Sequence, residues 1–274
     1  MEICYSILDP TGNITALVES PAAPAERPAA ATALMRRHPQ VEQVGFVRFA
    51  DAESEGVDAA LSMAGGEFCG NASLCAAALY LLRRGTAPSA RERVWLRVSG
   101  ASGPVETELR AEGENRFSAW VRMPRALGTE EQSFSFEGMN GDLTLVRMEG
   151  ISHLIVPADS VFFALLSDRS AAERAVRQWC TELRTEGLGL MFLEEGESLR
   201  LTPLVYVPGS GTVFWENSCA SGSSAVGMAL AARNRQSVDL TLTEPGGTLR
   251  VASDPASGET RLCGTVRLIG EYEA

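Results

Sequence analysis

Two runs of small and apolar residues, 74–82 and 225–232, have the length and composition of buried helices in a chain that otherwise reads as short strands. In the first half, strands are predicted over 3–8 and 14–18, joined by Asp9-Pro10-Thr11-Gly12-Asn13. A helix is predicted from Pro28 to His38, where Pro39 ends it. A strand follows over 41–47, then an acidic loop and a strand over 57–63. Gly65-Gly66 turns the chain into the first small-residue helix, which stops at Arg83-Arg84-Gly85 with cations at its C-terminus. Strands are predicted again over 92–99, 104–111 and 115–123.

Around Pro124 the pattern restarts. Strands near 142–148 and 153–156 precede helical stretches at about 159–168 and 170–184, and strands near 188–193 and 198–207 follow. Gly209-Ser210-Gly211 leads towards the second small-residue helix, after which 237–243, 247–253 and 260–271 read as strands. The expectation is an α+β chain of two pseudo-symmetric domains, 1–124 and 125–263, each built of strands, a central helix and more strands.

The two small-residue helices open alike. One opening reads Glu67-Phe68-Cys69-Gly70-Asn71-Ala72-Ser73, the other Glu216-Asn217-Ser218-Cys219-Ala220-Ser221-Gly222-Ser223. Superposing Cys69 on Cys219 aligns Ser73 with Ser223 and Arg83 with Arg233. A single cysteine before a helix is usually a small buried hydrophobe. Packing, however, gives no reason for the same acid, cysteine and small-residue opening to occur twice. A thiol at such a place lies beside unpaired backbone N–H groups and the positive end of the helix dipole, which favours its thiolate.

Composition narrows the chemistry. With 45% hydrophobic and 22% charged residues, the chain has material for substantial cores. A formal charge of −11 argues against nucleic acid or an anionic membrane surface as partner. All 24 basic residues are arginine, so lysine Schiff bases, pyridoxal phosphate chemistry and the Walker lysine have no residue to use. Cysteines 4, 69, 75, 180, 219 and 263 form no Cys-x-x-Cys pair, and the only histidines are His38 and His153, so no metal site is expected. Residues 1–8 lack the basic start and apolar core of a signal peptide, and no run of about 18 apolar residues is present to span a bilayer. A reducing cytoplasm is the expected setting for two reactive thiols.

Two activated sulfurs around one small anionic ligand suit proton exchange at a stereocentre. One thiolate takes the α-proton from one face while the opposing thiol delivers a proton to the other. Cys69 and Cys219 are the candidate acid/base pair. Backbone N–H groups of Gly70, Asn71, Ala220, Ser221 and Gly222 are the candidate donors to the substrate carboxylate. No cofactor is needed for that step.

Cys69-Gly70-Asn71-Ala72-x-x-Cys75 and Ser218-Cys219-Ala220-Ser221-Gly222 resemble the paired signatures of the diaminopimelate epimerases, members of the cofactor-independent two-cysteine racemase superfamily that includes proline racemases. Gly12-Asn13, Glu42-Gln43 and Gly150-x-x-His153 extend the likeness over nearly the whole chain. The resemblance implies two domains, each a sheet or barrel wrapped around its central helix, with residues 264–274 returning to the first. It also implies substrate-binding roles for Asn13 and Gln43. The asparagines and Glu-Arg pair with which those epimerases hold the distal end of diaminopimelate are replaced or missing here, with Ile151 and Gly187 in the asparagine places.

A closer likeness is to the histidine racemases of opine-metallophore (staphylopine-type) pathways, a branch of the same superfamily. It is carried by Glu42-Gln43-Val44-Gly45-Phe46, Gly66-Glu67-Phe68-Cys69-Gly70-Asn71-Ala72, Pro203-Leu204-Val205-Tyr206-Val207-Pro208, Trp215-Glu216-Asn217-Ser218-Cys219 and Pro245-Gly246-Gly247. That resemblance implies racemisation of L-histidine to D-histidine without metal or cofactor. A small amino acid is the expected partner molecule, and a homodimer is among the assemblies to test. Glu42 is then a candidate to meet an imidazole N–H. The alternatives are diaminopimelate epimerase, another epimerase of the same fold, or a non-catalytic amino-acid-binding protein. Cys75 is expected to pack, Cys4, Cys180 and Cys263 to be structural, and His153 to be a hydrogen-bonded core histidine.

Overall fold

The structure, a computed structural model, describes residues 3–49, 56–85, 91–209 and 211–273. The acidic loop expected before Val57 falls mainly on residues 50–55, outside the described residues, as does Ser210 of the expected glycine turn. The chain divides into two units, Met1–Arg122 with Leu262–Ala274, and Met123–Arg261.

The first unit holds β1 (Cys4–Pro10), β2 (Thr15–Val18), α1 (Arg27–Arg37), β3 (Gln43–Arg48), β4 (Ala59–Met63), α2 (Gly70–Arg83), β5 (Glu92–Val98), β6 (Val105–Gly113) and β7 (Arg116–Met123). The second holds β8 (Gly128–Phe136), β9 (Met139–Arg147), β10 (Ser152–Pro157), a 3₁₀ segment at Val161–Ser167, α3 (Arg169–Leu183), β11 (Leu188–Glu194), β12 (Leu199–Val207), β13 (Thr212–Trp215), α4 (Ala220–Asn234), β14 (Val238–Glu244) and β15 (Gly247–Asp254). The last strand, β16 (Glu259–Glu273), starts in the second unit and ends in the first. No helix among the described residues is long and apolar enough to cross a membrane.

In the first unit the strands run in the order β1-β2-β3-β4-β5-β6-β7-β16, and β16 pairs back onto β1, closing an eight-stranded barrel among the described residues. Closure removes the sheet edges. α2 fills the interior, packing on β1 through β6, and every residue from Gly70 to Leu79 is buried. A helix buried on all sides must be small and apolar all round, as the 74–82 run is. α1 packs on β3 from outside, with Ala31 and Leu34 against Tyr5, Val18, Val44 and Phe46.

The second unit repeats the plan. Its strand order is β15-β14-β12-β11-β10-β9-β8, with β13 on β12. α4 packs on strands of that sheet and is buried from Gly222 to Ala231. α3 packs on β11 and β12, and Trp179 at its centre meets Phe134, Phe136 and Phe162 at ring distances of 5.0–6.1 Å. The mixed α+β architecture matches the sequence expectation.

Two strands are absent from the sequence reading. β8 begins Gly-Thr-Glu-Glu-Gln-Ser, with no apolar alternation until Phe134 and Phe136, and its first half is mostly exposed. β13 is four residues long and pairs only with β12 among the described residues. Partner strands define both: β8 lacks apolar alternation over its first half, and β13, although Val213 and Trp215 pack on the core, is too short to stand out.

Candidate active site

Cys69 and Cys219 are the N-cap residues of α2 and α4, each with extended backbone before the helix. In each, the sulfur accepts the N–H three residues ahead, from Ala72 at 3.4 Å and from Gly222 at 3.3 Å. Ser73 and Ser223 return their N–H groups to the carbonyls of Cys69 and Cys219 at 3.0 and 2.8 Å. The duplicated opening therefore folds into the same cap twice. Sulfur stands where Ser, Thr or Asp usually does.

In the first unit, a chain of polar contacts ends on the Cys69 thiol. β2 and β3 pair in parallel with Thr15 opposite Gln43. The Cys69 thiol donates to Gln43 Oε1 at 2.9 Å, Gln43 Nε2 donates to Thr15 Oγ1 at 2.8 Å, and Thr15 Oγ1 donates to the Asn13 carbonyl at 3.1 Å. In this arrangement the Gln43 carbonyl faces the Cys69 sulfur.

Asn13 and Gln43 thus join Cys69, Gly70 and Asn71 in one cluster. Glu42 is half-buried beside them, its backbone N–H on the Ile14 carbonyl at 2.9 Å. Asn13 and Asn71 are both buried. Thr15 escaped the sequence reading; its alternation with Asn13 on the strand next to Glu42-Gln43 was the only signal. Cys75 hydrogen bonds Thr15 and is fully buried, so burial pushes its thiol well above the ordinary range, with nearby Cys69 adding to it. The Ser99-Gly100 turn braces the segment before α2: Ser99 Oγ donates to the Glu67 carbonyl at 2.8 Å.

In the second unit the cap sits among carboxylates. Cys219 is 3% exposed. Burial pushes its thiol well above the ordinary range, the charges of Glu216 and Glu244 add to this, and a hydrogen bond to Glu216 adds further; the Gly222 N–H opposes them with the smallest effect. The expectation that the helix start favours the thiolate is not met at Cys219, because desolvation and two carboxylates outweigh one N–H.

Ala220 and Gly222 are buried, and Ser221 is half-buried with its hydroxyl 3.7 Å from the Cys219 sulfur. Gly222 leaves no room for a side chain, since a Cβ there would lie 2.1 Å from Met191 Sδ and 3.0 Å from Cys219 Sγ. Glu244 also escaped the sequence reading, although it directly precedes the quoted Pro245-Gly246-Gly247. It is buried and accepts the Cys219 N–H at 2.7 Å and the Ser223 hydroxyl. His153 is wholly buried on β10, but it is not the hydrogen-bonded core histidine expected. Neither ring nitrogen has a partner among the described residues, and burial pushes its pKa down to about 3. Among the described residues, no cluster of three or more His, Cys, Asp or Glu is arranged to hold a metal.

The family model for the histidine racemase CntK N-terminal domain matches residues 2–271. The chain belongs to the histidine racemase family. A histidine racemase of Fusobacterium nucleatum is 30% identical, covering 96% of this chain and 93% of that one. A histidine racemase of Staphylococcus aureus is 29% identical over 91% of this chain and 88% of its own length. The fold is shared with the solved structure of a probable proline racemase from Agrobacterium radiobacter K84, at a TM-score of 0.71 and 14% identity, covering 99% of this chain and 92% of that one. This histidine-racemase-family chain is an isomerase, an amino-acid racemase. A racemase must take a proton from an α-carbon and return one to it, and each unit of this one contains a cysteine sulfur that accepts an N–H at a helix start.

Proposed function

We propose that this racemase interconverts L- and D-histidine without a cofactor, Cys69 and Cys219 exchanging protons with opposite faces of the α-carbon. The observation that carries the reading is the repeated cap, in which each sulfur accepts an N–H at the start of a buried helix. One cysteine acts as thiolate and takes the α-proton, the other gives its thiol proton to the opposite face, and the roles reverse for the other enantiomer. First-turn N–H groups at Gly70, Asn71, Ala220 and Ser221 are oriented for a carboxylate by helix geometry, and Gly222 seats the second sulfur. Donors of this kind are worth about 10²–10³ in rate each where charge builds in the transition state. Burial raises the basicity of the thiolate once formed, which helps against a weakly acidic carbon.

Histidine as substrate is supported by the activity named for the two relatives. Glu42 is the candidate partner for the imidazole, and Asn13 lies in the same cluster. D-histidine would feed an opine metallophore in a reducing cytoplasm, and a homodimer is the assembly to test by light scattering.

Incubating the protein with L-histidine in deuterium oxide should produce D-histidine carrying α-deuterium. Cys69→Ser and Cys219→Ser should each reduce racemisation to background. Full activity in either variant overturns the two-thiol mechanism. Faster turnover of diaminopimelate or hydroxyproline than of histidine overturns the substrate assignment alone.

A further inference from the structure

The two caps differ in what surrounds the sulfur. In the first unit the aligned serine, Ser73, turns its hydroxyl onto the Cys69 carbonyl at 2.7 Å. In the second, Ser223 gives its hydroxyl to Glu244. Glu244 ends β14, and the turn behind it is fastened to the segment before α4, Gly246 N–H donating to the Asn217 carbonyl at 2.7 Å. One Glu244 oxygen accepts the Cys219 N–H at 2.7 Å and the other accepts the Ser223 hydroxyl. A carboxyl group is thus held against the first turn of α4 by contacts on both sides of the cysteine, and it is 4% exposed.

We propose that Glu244 is the positioning residue that seats the first turn of α4 and keeps Cys219 protonated in alkaline solution, so that this sulfur remains available as the acid of the pair. The proposal rests on Cys219 being an acid/base group, as argued above. A two-thiol racemase needs one sulfur with its proton and one without, and fails when both are ionised.

Facing Glu244 are Cys219 and Ser223 from α4 and Glu216 from the segment before it. Burial pushes the Glu244 carboxyl up to about 8, while the Ser223 hydroxyl and the Cys219 N–H pull it back and the charge of Glu216 adds to it. The sign follows from the order of ionisation. Near neutral pH the carboxyl holds its proton and bears no charge. Above about pH 8 it becomes an anion beside the Cys219 sulfur, which raises the cost of a second negative charge there. The first unit presents its sulfur to the neutral amide of Gln43 instead.

The test is E244Q. The amide can accept from the Cys219 N–H and donate to Ser223 Oγ, so the clamp survives while the charge is lost. Ultraviolet thiolate absorbance, taken as the difference between the protein and C219S in the same background, reads the ionisation of Cys219 without turnover. The expected result is a Cys219 midpoint lower by about one pH unit, a roughly tenfold change in acidity. The alkaline limb of kcat/KM should move the same way. E244D, which retains the charge one methylene further back, should restore both. A midpoint unchanged in E244Q, or E244D behaving as E244Q, overturns the proposal. Where E244Q does not fold, E244M, neutral and of similar length, takes its place in the same titration: a Cys219 midpoint lower than in the wild type supports the proposal and an unchanged one overturns it, as does a wild-type midpoint at or below the ordinary thiol value of about 8.5. Because the midpoint needs no turnover, it decides on Glu244 even if the racemisation assay overturns the two-thiol reading.

Discussion

Acid should destabilise the second unit through one imidazole, that of His153. The side chain lies on β10 with no exposed surface. Its neighbours explain the missing partners. Gly189 stands opposite it on β11, and a Cβ added there would run into His153 Nδ1 and the Met191 methyl, so the ring lies close over the Gly189 backbone.

Burial pushes the folded pKa to about 3, whereas an unfolded imidazole titrates near 6.5. Between these values the unfolded chain binds a proton that the folded chain does not. Stability from this group is therefore complete above about pH 6.5 and is lost as pH falls towards 3. Each pH unit within that window costs about 1.4 kcal/mol, so the whole window costs about 5 kcal/mol, a large part of a typical folding free energy of roughly 5–15 kcal/mol. The perturbation is His153→Gln, which keeps a polar side chain of similar length and removes the titration. Urea unfolding followed by circular dichroism should be run at a series of pH values below neutral. The wild-type stability should fall by about 1.4 kcal/mol per pH unit more steeply than that of the variant, since titrating carboxylates are common to both. Parallel curves, or a wild-type His153 resonance titrating near 6.5, would refute the reasoning.

Two further substitutions test packing. Gly222→Ala drives a methyl into Met191 and the Cys219 sulfur, so thermal or urea unfolding should show a loss of about 1–3 kcal/mol and racemisation should fall with it. Trp179→Ala empties the centre of the aromatic cluster under α3 and should cost about 3–5 kcal/mol; a loss under 1 kcal/mol would show that this cluster is not a close-packed core.

The small-residue runs at 74–82 and 225–232, the repeated cysteine openings and the strand alternation were enough to determine an α+β chain with two central helices capped by Cys69 and Cys219. These features are local: a helix cap is set by a few adjacent residues and a buried helix by its own composition. The family was legible for the same reason, since its motifs are contiguous. What the tertiary structure decided was the environment of each sulfur. Gln43 reaches Cys69 because β2 and β3 pair in register, and Glu244 reaches Cys219 because the β14–β15 turn docks on the segment before α4. Neither contact has a period or a spacing, as each joins residues 25 or 26 positions apart. The direction of the Cys219 shift was likewise invisible in one dimension. The helix start was in the sequence, but the desolvation and the two carboxylates that outweigh it exist only once the chain has folded around them.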